Sequence, residues 1–231
     1  MNKMYLFSIL FLISLVSNSS WMDYFRDLTI VNNAPNFSAI TNTSERKIAF
    51  FKYLKPIIVE QNALILQLRN KIINHKLSNE FIVKLARKYR IKPQNISIES
   101  LLKKIDIIPT SLALAQGAIE SNWGRSRFAS YNNYYGIWCF KKGCGVVPNK
   151  RNLNAKHEVA TFKTINEATR KYILNLNSHP AYAKLRDIRY ELRKKSLTID
   201  GGLLSEGLNK YSGIGNEYIK ILQKMIIYNK L

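Results

Sequence analysis

The sequence predicts a mostly α-helical (α+β) protein: a helical lobe with one small antiparallel β-lobe, preceded by a helical extension. Three observations carry this prediction. Apolar residues recur at three- and four-residue steps through most of the chain after residue 43, which is the period of a helix with one buried face. That period disappears over residues 131–163, where glycines, a proline and short alternating runs are typical of strands and turns. The composition, 46% apolar in 231 residues, is sufficient to bury a core.

Residues 1–19 predict a secretory signal peptide. Lys3 is followed by a short, mostly apolar stretch from Tyr5 to Val16, and then by small serines suited to cleavage. A helix that spans a bilayer needs about 20 apolar residues, and this stretch is shorter. We therefore expect export to the periplasm or the extracellular space, with no stable membrane span in the mature chain. An uncleaved segment that tethers the protein to the membrane is the alternative.

Residues 20–43 predict a linker, because they are polar and rich in Asn and Ser. Residues 44–106 predict a helical extension. Pro93 separates its last two segments, because a proline disfavours helical backbone in the residue before it. The expected helical segments are Thr43–Lys76, Ser78–Tyr89 and Ile98–Ile105.

Residues 107–231 predict a separate domain. Its first helix, from Leu112 to Ser121, consists of unusually small residues and is stopped by Gly124. The β-lobe follows, and the next helix begins at the capping-box pattern Thr164-Ile165-Asn166-Glu167. The expected helices after the β-lobe run to about Asn177, from Ser178 to Lys195, from Leu203 to Tyr211 and from Asn216 to Tyr228.

The chain carries 36 Lys and Arg against 15 Asp and Glu, a formal net charge of +21. Such an excess predicts a polyanionic partner: nucleic acid, an anionic membrane surface or an anionic cell-wall polymer. A genome rich in A and T would also raise the Lys content, and this accounts for part of the excess. Export argues against nucleic acid and leaves an anionic glycan or a membrane surface as the expected partner.

The chain has two cysteines, Cys139 and Cys144. In an oxidising compartment this spacing predicts a local disulfide that closes one tight loop. A loop so small gains little chain entropy, so the bond would shape the loop more than stabilise the fold. A metal site is the weaker alternative, because two thiolates make an incomplete shell. His157-Glu158 begins like a zinc-protease motif, but Thr161 replaces the second histidine, so no metal is expected.

Glu120 is a candidate catalytic residue. It lies in the last turn of an apolar helix, where desolvation and the helix dipole both raise the pKa of a carboxyl group. Trp123, three residues on, is expected to cover it. A carboxylic acid that stays protonated near neutral pH can give a proton to a departing glycosidic oxygen. From spacing alone, a glutamate that frays into solvent at a helix end is the slightly favoured interpretation.

Several motifs over residues 107–231 change that balance. Leu114-Ala115-Gln116-Gly117-Ala118-Ile119-Glu120-Ser121-Asn122-Trp123-Gly124 resembles the Leu-Ala-Gln-Ala-Ala-x-Glu-Ser-x-Trp-Gly signature of the bacterial cell-wall glucosaminidase family. Gly117 departs from it, because that position usually has Ala, and it is expected to loosen the helix slightly. Asn132-Asn133-Tyr134-Tyr135-Gly136-Ile137 resembles the family's Asn-Asn-Leu-Phe-Gly-Ile element. The segments Ile137–Gly145, Asn175–Tyr182 and Glu206–Ser212 are similar to its Bax-protein branch in particular.

The resemblance implies a lysozyme-like fold, in which the helical lobe and the β-lobe flank a glycan cleft. It implies a secreted endo-β-N-acetylglucosaminidase that hydrolyses peptidoglycan, or a related glycan containing N-acetylglucosamine, without a cofactor; we expect a monomer. Carried over by motif, Glu120 is the general acid, Glu158 matches the candidate second carboxylate, and Tyr211 matches a tyrosine near the C-terminal end of the cleft. A solvated strand residue is the alternative for Glu158, and a structural role is the alternative for Tyr211.

Substrate binding is predicted for residues in and after the matched motifs. Aromatic rings that are exposed in a cleft can stack on the flat faces of sugars, and the stretch between Glu120 and Glu158 is rich in them. The alternative is that many of these rings form the core of the β-lobe. The predicted substrate-binding residues are Gln116, Trp123, Asn133, Tyr134, Tyr135 and Trp138.

Two other functions stay open. A lytic transglycosylase or muramidase of the same fold would also carry a Glu-Ser pair. Those enzymes usually follow that pair with Gly-Leu-Met-Gln, whereas this chain has Asn133-Tyr134-Tyr135-Gly136-Ile137-Trp138. A non-catalytic protein that binds wall glycan would explain the charge equally well, but the presence of Glu120 favours the enzyme.

Overall fold

The computed structural model describes residues 33–149, 151 and 155–231. Over these residues the chain forms eight α-helices and a three-stranded antiparallel sheet. The prediction of a mostly α-helical, lysozyme-like protein with a small β-lobe is therefore confirmed. The predicted signal peptide and the first part of the predicted linker lie outside the described residues. No helix within the described ranges combines the length and the apolarity that crossing a membrane requires.

The 31-residue helix α1 (Thr43–Ile73) begins where its sequence provides a cap. The Asn42 side chain accepts hydrogen bonds from the backbone N–H groups of Ser44 and Glu45, donors that have no partner within the helix. One face of α1 is buried, and its apolar side chains join the same core as those of the C-terminal helices.

Two shorter helices follow, α2 (Asn79–Lys88) and α3 (Ile98–Lys104). Helix α3 begins with a reciprocal pair of hydrogen bonds: Ser97 Oγ accepts from the Ser100 N–H, and Ser100 Oγ accepts from the Ser97 N–H. All three predicted helical segments of the extension are thus present. The division of the chain into an extension and a separate domain near residue 106 stays a prediction.

Helix α4 (Thr110–Glu120) lies in the middle of the core. Its residues from Leu112 to Ala118 are all buried, as expected for a helix that is apolar on all sides. Small residues let neighbouring helices approach it closely. A Cβ atom on Gly117 would lie 2.8 Å from Leu54 Cδ2 of α1, so the approach of Leu54 gives a packing reason for glycine at this position.

The β-lobe is a sheet of three short antiparallel strands in the order β1-β3-β2. The strands are β1 (Trp138–Cys139), β2 (Gly145–Val146) and β3 (Glu158–Ala160). Trp138 of β1 and Val146 of β2 are both paired with Val159 of the central strand. All three residues of β3 are buried, so the lobe is anchored to the core through its central strand.

Four helices follow the sheet: α5 (Ile165–Ser178), α6 (Ala183–Lys194), α7 (Gly201–Ser205) and α8 (Asn216–Tyr228). A helix is present where one is predicted over residues 203–211, but its predicted extent is wrong, because α7 is short and ends at Ser205. Gly207 then lies against the backbone of Leu185, where a Cβ atom would come within 2.2 Å of the Leu185 nitrogen. The chain turns here to pack on α6 and does not continue as a helix.

A buried ionic cluster holds the segment that leads into α4. Asp106 is 1% exposed and accepts hydrogen bonds from Arg193 Nε at 3.1 Å and Arg193 Nη2 at 2.9 Å. Arg69 of α1 and Arg189 of α6 also approach its carboxylate, at 3.4 and 3.9 Å. Burial acts to raise the pKa of Asp106, but the three arginines outweigh it and hold the pKa below its usual value. The cluster therefore joins α1, the start of α4 and α6.

Candidate active site

Glu120 is the last residue of α4, and the way that helix ends fixes its position. Ser121 closes the helix: its Oγ donates to Gly117 O at 2.6 Å and accepts from the Gly124 N–H at 2.9 Å. The three residues after Ser121 all have positive φ angles, so the chain leaves the helix in a sharp turn. Glu120 is consequently half-buried at the edge of an otherwise buried helix.

A tyrosine from α8 holds one oxygen of the Glu120 carboxyl group. The Tyr218 hydroxyl donates a hydrogen bond to Glu120 Oε1 at 2.6 Å. Burial raises the pKa of Glu120, and the hydrogen bond from Tyr218 lowers it by less, so the pKa lies above its usual value. Glu120 therefore stays protonated to a higher pH than a solvated glutamate would.

The Tyr218 hydroxyl in turn accepts a hydrogen bond from a side chain in the core. Gln116 Nε2 donates to the Tyr218 hydroxyl oxygen at 3.2 Å, and the Tyr172 hydroxyl of α5 donates to Gln116 Oε1 at 2.7 Å. All three side chains are buried. Gln116 thus lies behind Glu120, on the side away from solvent, and its predicted contact with substrate stays a prediction.

Further aromatic rings surround this chain of hydrogen bonds. Tyr211 stacks on Tyr218 with ring centroids 5.6 Å apart, and the Tyr182 ring lies 5.8 Å from that of Tyr211. We refer to Tyr172, Tyr182, Tyr211 and Tyr218 as the tyrosine cluster. Burial raises the pKa of every member, and the charge of Glu120 raises it further. The cluster therefore surrounds Glu120 with neutral hydroxyl groups.

The other oxygen of the carboxyl group, Oε2, faces the loop before β1. A Cβ atom on Gly136 would lie 3.0 Å from Glu120 Oε2, and Gly136 has a φ of +62°, which favours glycine. Asn133 fixes this loop, because its side chain donates to Ile137 O and Ala160 O and accepts from the Ile137 N–H. Asn133 is 1% exposed, so in this structure it anchors the loop, and its substrate role stays a prediction.

Tyr134 and Tyr135 lie in the core, with 1% and 0% of their surfaces exposed. Tyr135 stacks on Tyr172 with ring centroids 4.0 Å apart, and its backbone carbonyl accepts a hydrogen bond from the Tyr211 hydroxyl at 2.8 Å. Neither Tyr134 nor Tyr135 presents a ring face to a sugar in this structure. Tyr211 is placed to hold the loop that carries Gly136, and its catalytic role stays a prediction.

The two tryptophans that were predicted to bind substrate have different surroundings. Trp138 is 56% exposed and stacks on His157 with ring centroids 3.9 Å apart, so it is open to a ligand. Trp123 is half-buried and packs against Phe50 of α1. The expectation that Trp123 covers Glu120 assumed helical spacing, but α4 ends at Glu120 and Trp123 lies in the turn beyond it.

Glu158, the predicted second carboxylate, binds the disulfide loop. Its Oε1 accepts from the Gly143 N–H at 3.0 Å, and its Oε2 accepts from the Gly145 N–H at 2.9 Å. These two bonds are the main reason that the pKa of Glu158 lies below its usual value. The predicted disulfide between Cys139 and Cys144, which closes this loop, is confirmed. A catalytic role for Glu158 stays a prediction.

Sequence reasoning missed Tyr218 and Tyr172. Tyr218 is 98 positions from Glu120, and Tyr172 is 56 positions from Gln116, so no local pattern joins them. One signal was available in the sequence: Tyr218 lies one turn before Leu222 on the helix predicted over residues 216–228, so the two share one helix face. The structure buries both. A tyrosine on a core face needs a partner for its hydroxyl group, which directs attention to a buried polar site.

Comparisons with known proteins identify the family of this chain. Residues 95–230 match the family model named Glucosaminidase and described as mannosyl-glycoprotein endo-beta-N-acetylglucosaminidase. The chain is 31% identical over 219 residues to a protein of Escherichia coli (strain K12) named Protein bax, in an alignment that covers 90% of this chain and 78% of that relative. Among solved structures, none matched.

Proposed function

This chain belongs to the glucosaminidase family, in its Bax branch, and from that premise we propose that it is an exported endo-β-N-acetylglucosaminidase that hydrolyses peptidoglycan. Glu120 is its general acid. The observation that carries the proposal is the setting of this carboxyl group: burial raises its pKa, Tyr218 holds its Oε1, and its Oε2 faces the side chain-free backbone of Gly136.

The charge and the cysteines of the chain support the proposed substrate and location. A net charge of +21 attracts an anionic polymer and raises its local concentration. The disulfide between Cys139 and Cys144 is typical of proteins in an oxidising, extracytoplasmic compartment. An anionic wall glycan outside the cytoplasm satisfies both features.

In the proposed reaction, Glu120 transfers its proton to the glycosidic oxygen while the bond between that oxygen and C1 breaks. The departing sugar leaves as a neutral alcohol, and positive charge develops at C1. The acetamido oxygen of the substrate forms a temporary bond to C1, as in substrate-assisted glycosidases. Water then attacks C1, the temporary bond breaks, and the proton that water releases returns to Glu120.

This route needs only one protein carboxyl group. That matters because both oxygens of Glu158 already accept backbone hydrogen bonds, from Gly143 and Gly145. These bonds hold the pKa of Glu158 below its usual value, so its carboxylate is a weaker base for the activation of water. The same observation favours a second candidate function, a lytic transglycosylase, because one acid also suffices when a hydroxyl group of the substrate itself closes an anhydro-sugar.

Digestion of purified peptidoglycan, followed by borohydride reduction and mass spectrometry, separates these functions. Reduced N-acetylglucosamine ends support the proposal, anhydromuramic ends indicate the transglycosylase, and reduced muramic ends indicate a muramidase. Binding without any product indicates a non-catalytic wall-glycan binding protein. Glu120→Gln should abolish cleavage and spare binding, and a variant that stays active would remove Glu120 from the mechanism.

A further inference from the structure

We propose that Tyr218 is a positioning residue that confines the acidic proton of Glu120 to Oε2, at the end of a one-directional chain of hydrogen bonds from Tyr172 through Gln116. This inference rests on the proposed role of Glu120 as the general acid. It gives a function to three polar side chains that are buried behind Glu120.

The direction of the chain follows from the chemistry of its groups. Gln116 Oε1 can only accept, and it accepts from the Tyr172 hydroxyl at 2.7 Å. The same amide therefore turns its Nε2, which can only donate, toward the Tyr218 oxygen at 3.2 Å. Because the Tyr218 oxygen receives that N–H, its own hydrogen points to Glu120 Oε1 at 2.6 Å.

Burial of Tyr172 disfavours the opposite direction. If every bond in the chain were reversed, Glu120 would donate from Oε1 and the hydrogen of the Tyr172 hydroxyl would point away from Gln116. The hydrogen bonds between described residues give that hydroxyl no acceptor other than Gln116. Tyr172 is 0% exposed, and a buried donor without an acceptor is costly.

The location of the catalytic proton follows from this direction. Since Oε1 of Glu120 accepts the bond from Tyr218, the proton of the carboxylic acid lies on Oε2. That oxygen faces Gly136, where a Cβ atom would lie only 3.0 Å away, so glycine at this position keeps a side chain off Oε2. After proton transfer, the bond from Tyr218 stabilises the carboxylate that remains, because a hydrogen bond to the charged form favours that form.

Among the residues that the structure describes, the titratable groups that face Glu120 are the four members of the tyrosine cluster. Tyr218 comes from α8, Tyr172 from α5, Tyr182 from the turn before α6, and Tyr211 from the turn after α7. Their own pKa values are all raised, so they stay neutral where Glu120 titrates. Burial and the bond from Tyr218 are the two causes of the pKa shift of Glu120, and its titration therefore reports on that bond.

Tyr218→Phe removes the single oxygen atom on which the proposal depends. We expect the pKa of the Glu120 carboxyl, followed by infrared or NMR titration, to rise by on the order of one unit. The alkaline limb of kcat/KM against pH should move up by the same amount. We also expect kcat to fall about 10- to 100-fold with little change in KM, because the proton is no longer confined to the productive oxygen.

Two further variants separate positioning from a general effect on the fold. Tyr228→Phe removes the same atom from a residue of α8 that is 78% exposed, and it should change neither the titration nor kcat. Gln116→Leu removes the donor that orients Tyr218, so it should raise the pKa of Glu120 by less than Tyr218→Phe does. When Tyr218→Phe is already present, Gln116→Leu should cause no further rise in the pKa of Glu120, because Gln116 acts only through Tyr218.

The outcomes of these measurements are distinct. An unchanged pKa of Glu120 in folded Tyr218→Phe overturns the proposal, and so does an additive effect of the two substitutions. If Tyr218→Phe does not fold, the titration of Gln116→Leu decides in its place. The carboxyl titration needs no substrate, so a wild-type protein that fails to cleave peptidoglycan refutes the proposed function and leaves the hydrogen-bond result readable.

Discussion

Replacement of Asp106 by Asn tests the ionic cluster that leads into α4. This substitution keeps the size of the side chain and removes its charge. Asp106 is 1% exposed, and its charge partners Arg69 and Arg189 have side chains that are only 11% and 1% exposed. Removal of one partner from a buried ion pair costs about 3–5 kcal/mol, because the remaining charge is left unpaired. We expect a loss of that size in the free energy of unfolding, which is a large share of the roughly 5–15 kcal/mol of a typical domain.

Urea denaturation at neutral pH measures this loss, and Asp187→Asn is the matched control. Asp187 pairs with Lys103 at 2.7 Å, but the two side chains are 54% and 43% exposed, so its removal should cost less than about 1 kcal/mol. Since the pKa of Asp106 is lowered in the folded protein, its contribution is complete above the unfolded pKa of about 3.9 and is lost as pH falls through the folded pKa. The difference between wild type and Asp106→Asn should shrink in that acid range. A loss at neutral pH no larger than that of the control would refute this reasoning.

Three further predictions concern the candidate acid and its surroundings. Glu120→Gln should raise the unfolding temperature more at neutral pH than below a pH of about 4. The pKa of Glu120 is raised in the folded protein, so its ionisation destabilises the fold as the pH rises through that pKa. Equal effects of the substitution at both pH values would contradict this. Glu158→Gln should retain far more cleavage of peptidoglycan than Glu120→Gln, since Glu158 binds Gly143 and Gly145, and an equal loss in an initial-rate assay would make Glu158 a catalytic group. Gly136→Ala should lower kcat while the protein stays folded by circular dichroism, because its Cβ would lie 3.0 Å from Glu120 Oε2, and wild-type turnover would show that Oε2 is not the working oxygen.

The sequence predicted the helices best where local signals decide them. The predicted limits of α8, Asn216 and Tyr228, are those of the structure, and α1 begins at the predicted Thr43. Periodicity and capping act over a few residues, so they can be seen in the chain itself. The predicted end of the helix over residues 203–211 is wrong because a contact with a residue distant in sequence decides it: Gly207 packs on Leu185.

The candidate site shows the same division between local and distant causes. A local motif identified Glu120, and its place at the end of α4 is as predicted. Its partner Tyr218 lies 98 positions away, and only the packing of α8 against α4 brings the two together. Tyr134 and Tyr135, which the motif predicts to bind substrate, are both buried. They lie in the turn before β1, where the sequence has no helical or strand period that could show which rings face the core.

The central claim, that Glu120 is the general acid of a glycosidase, is tested most directly by changing the leaving group. Wild type and Glu120→Gln would be compared on N-acetylglucosamine oligosaccharides that end either in a sugar or in a dinitrophenyl group. A sugar must receive a proton to depart, so Glu120→Gln should lose about 10²- to 10⁴-fold in kcat on the first substrate. Dinitrophenolate departs without a proton, so the loss on the second should be far smaller. Equal losses on both substrates would contradict the assignment of Glu120 as the proton donor.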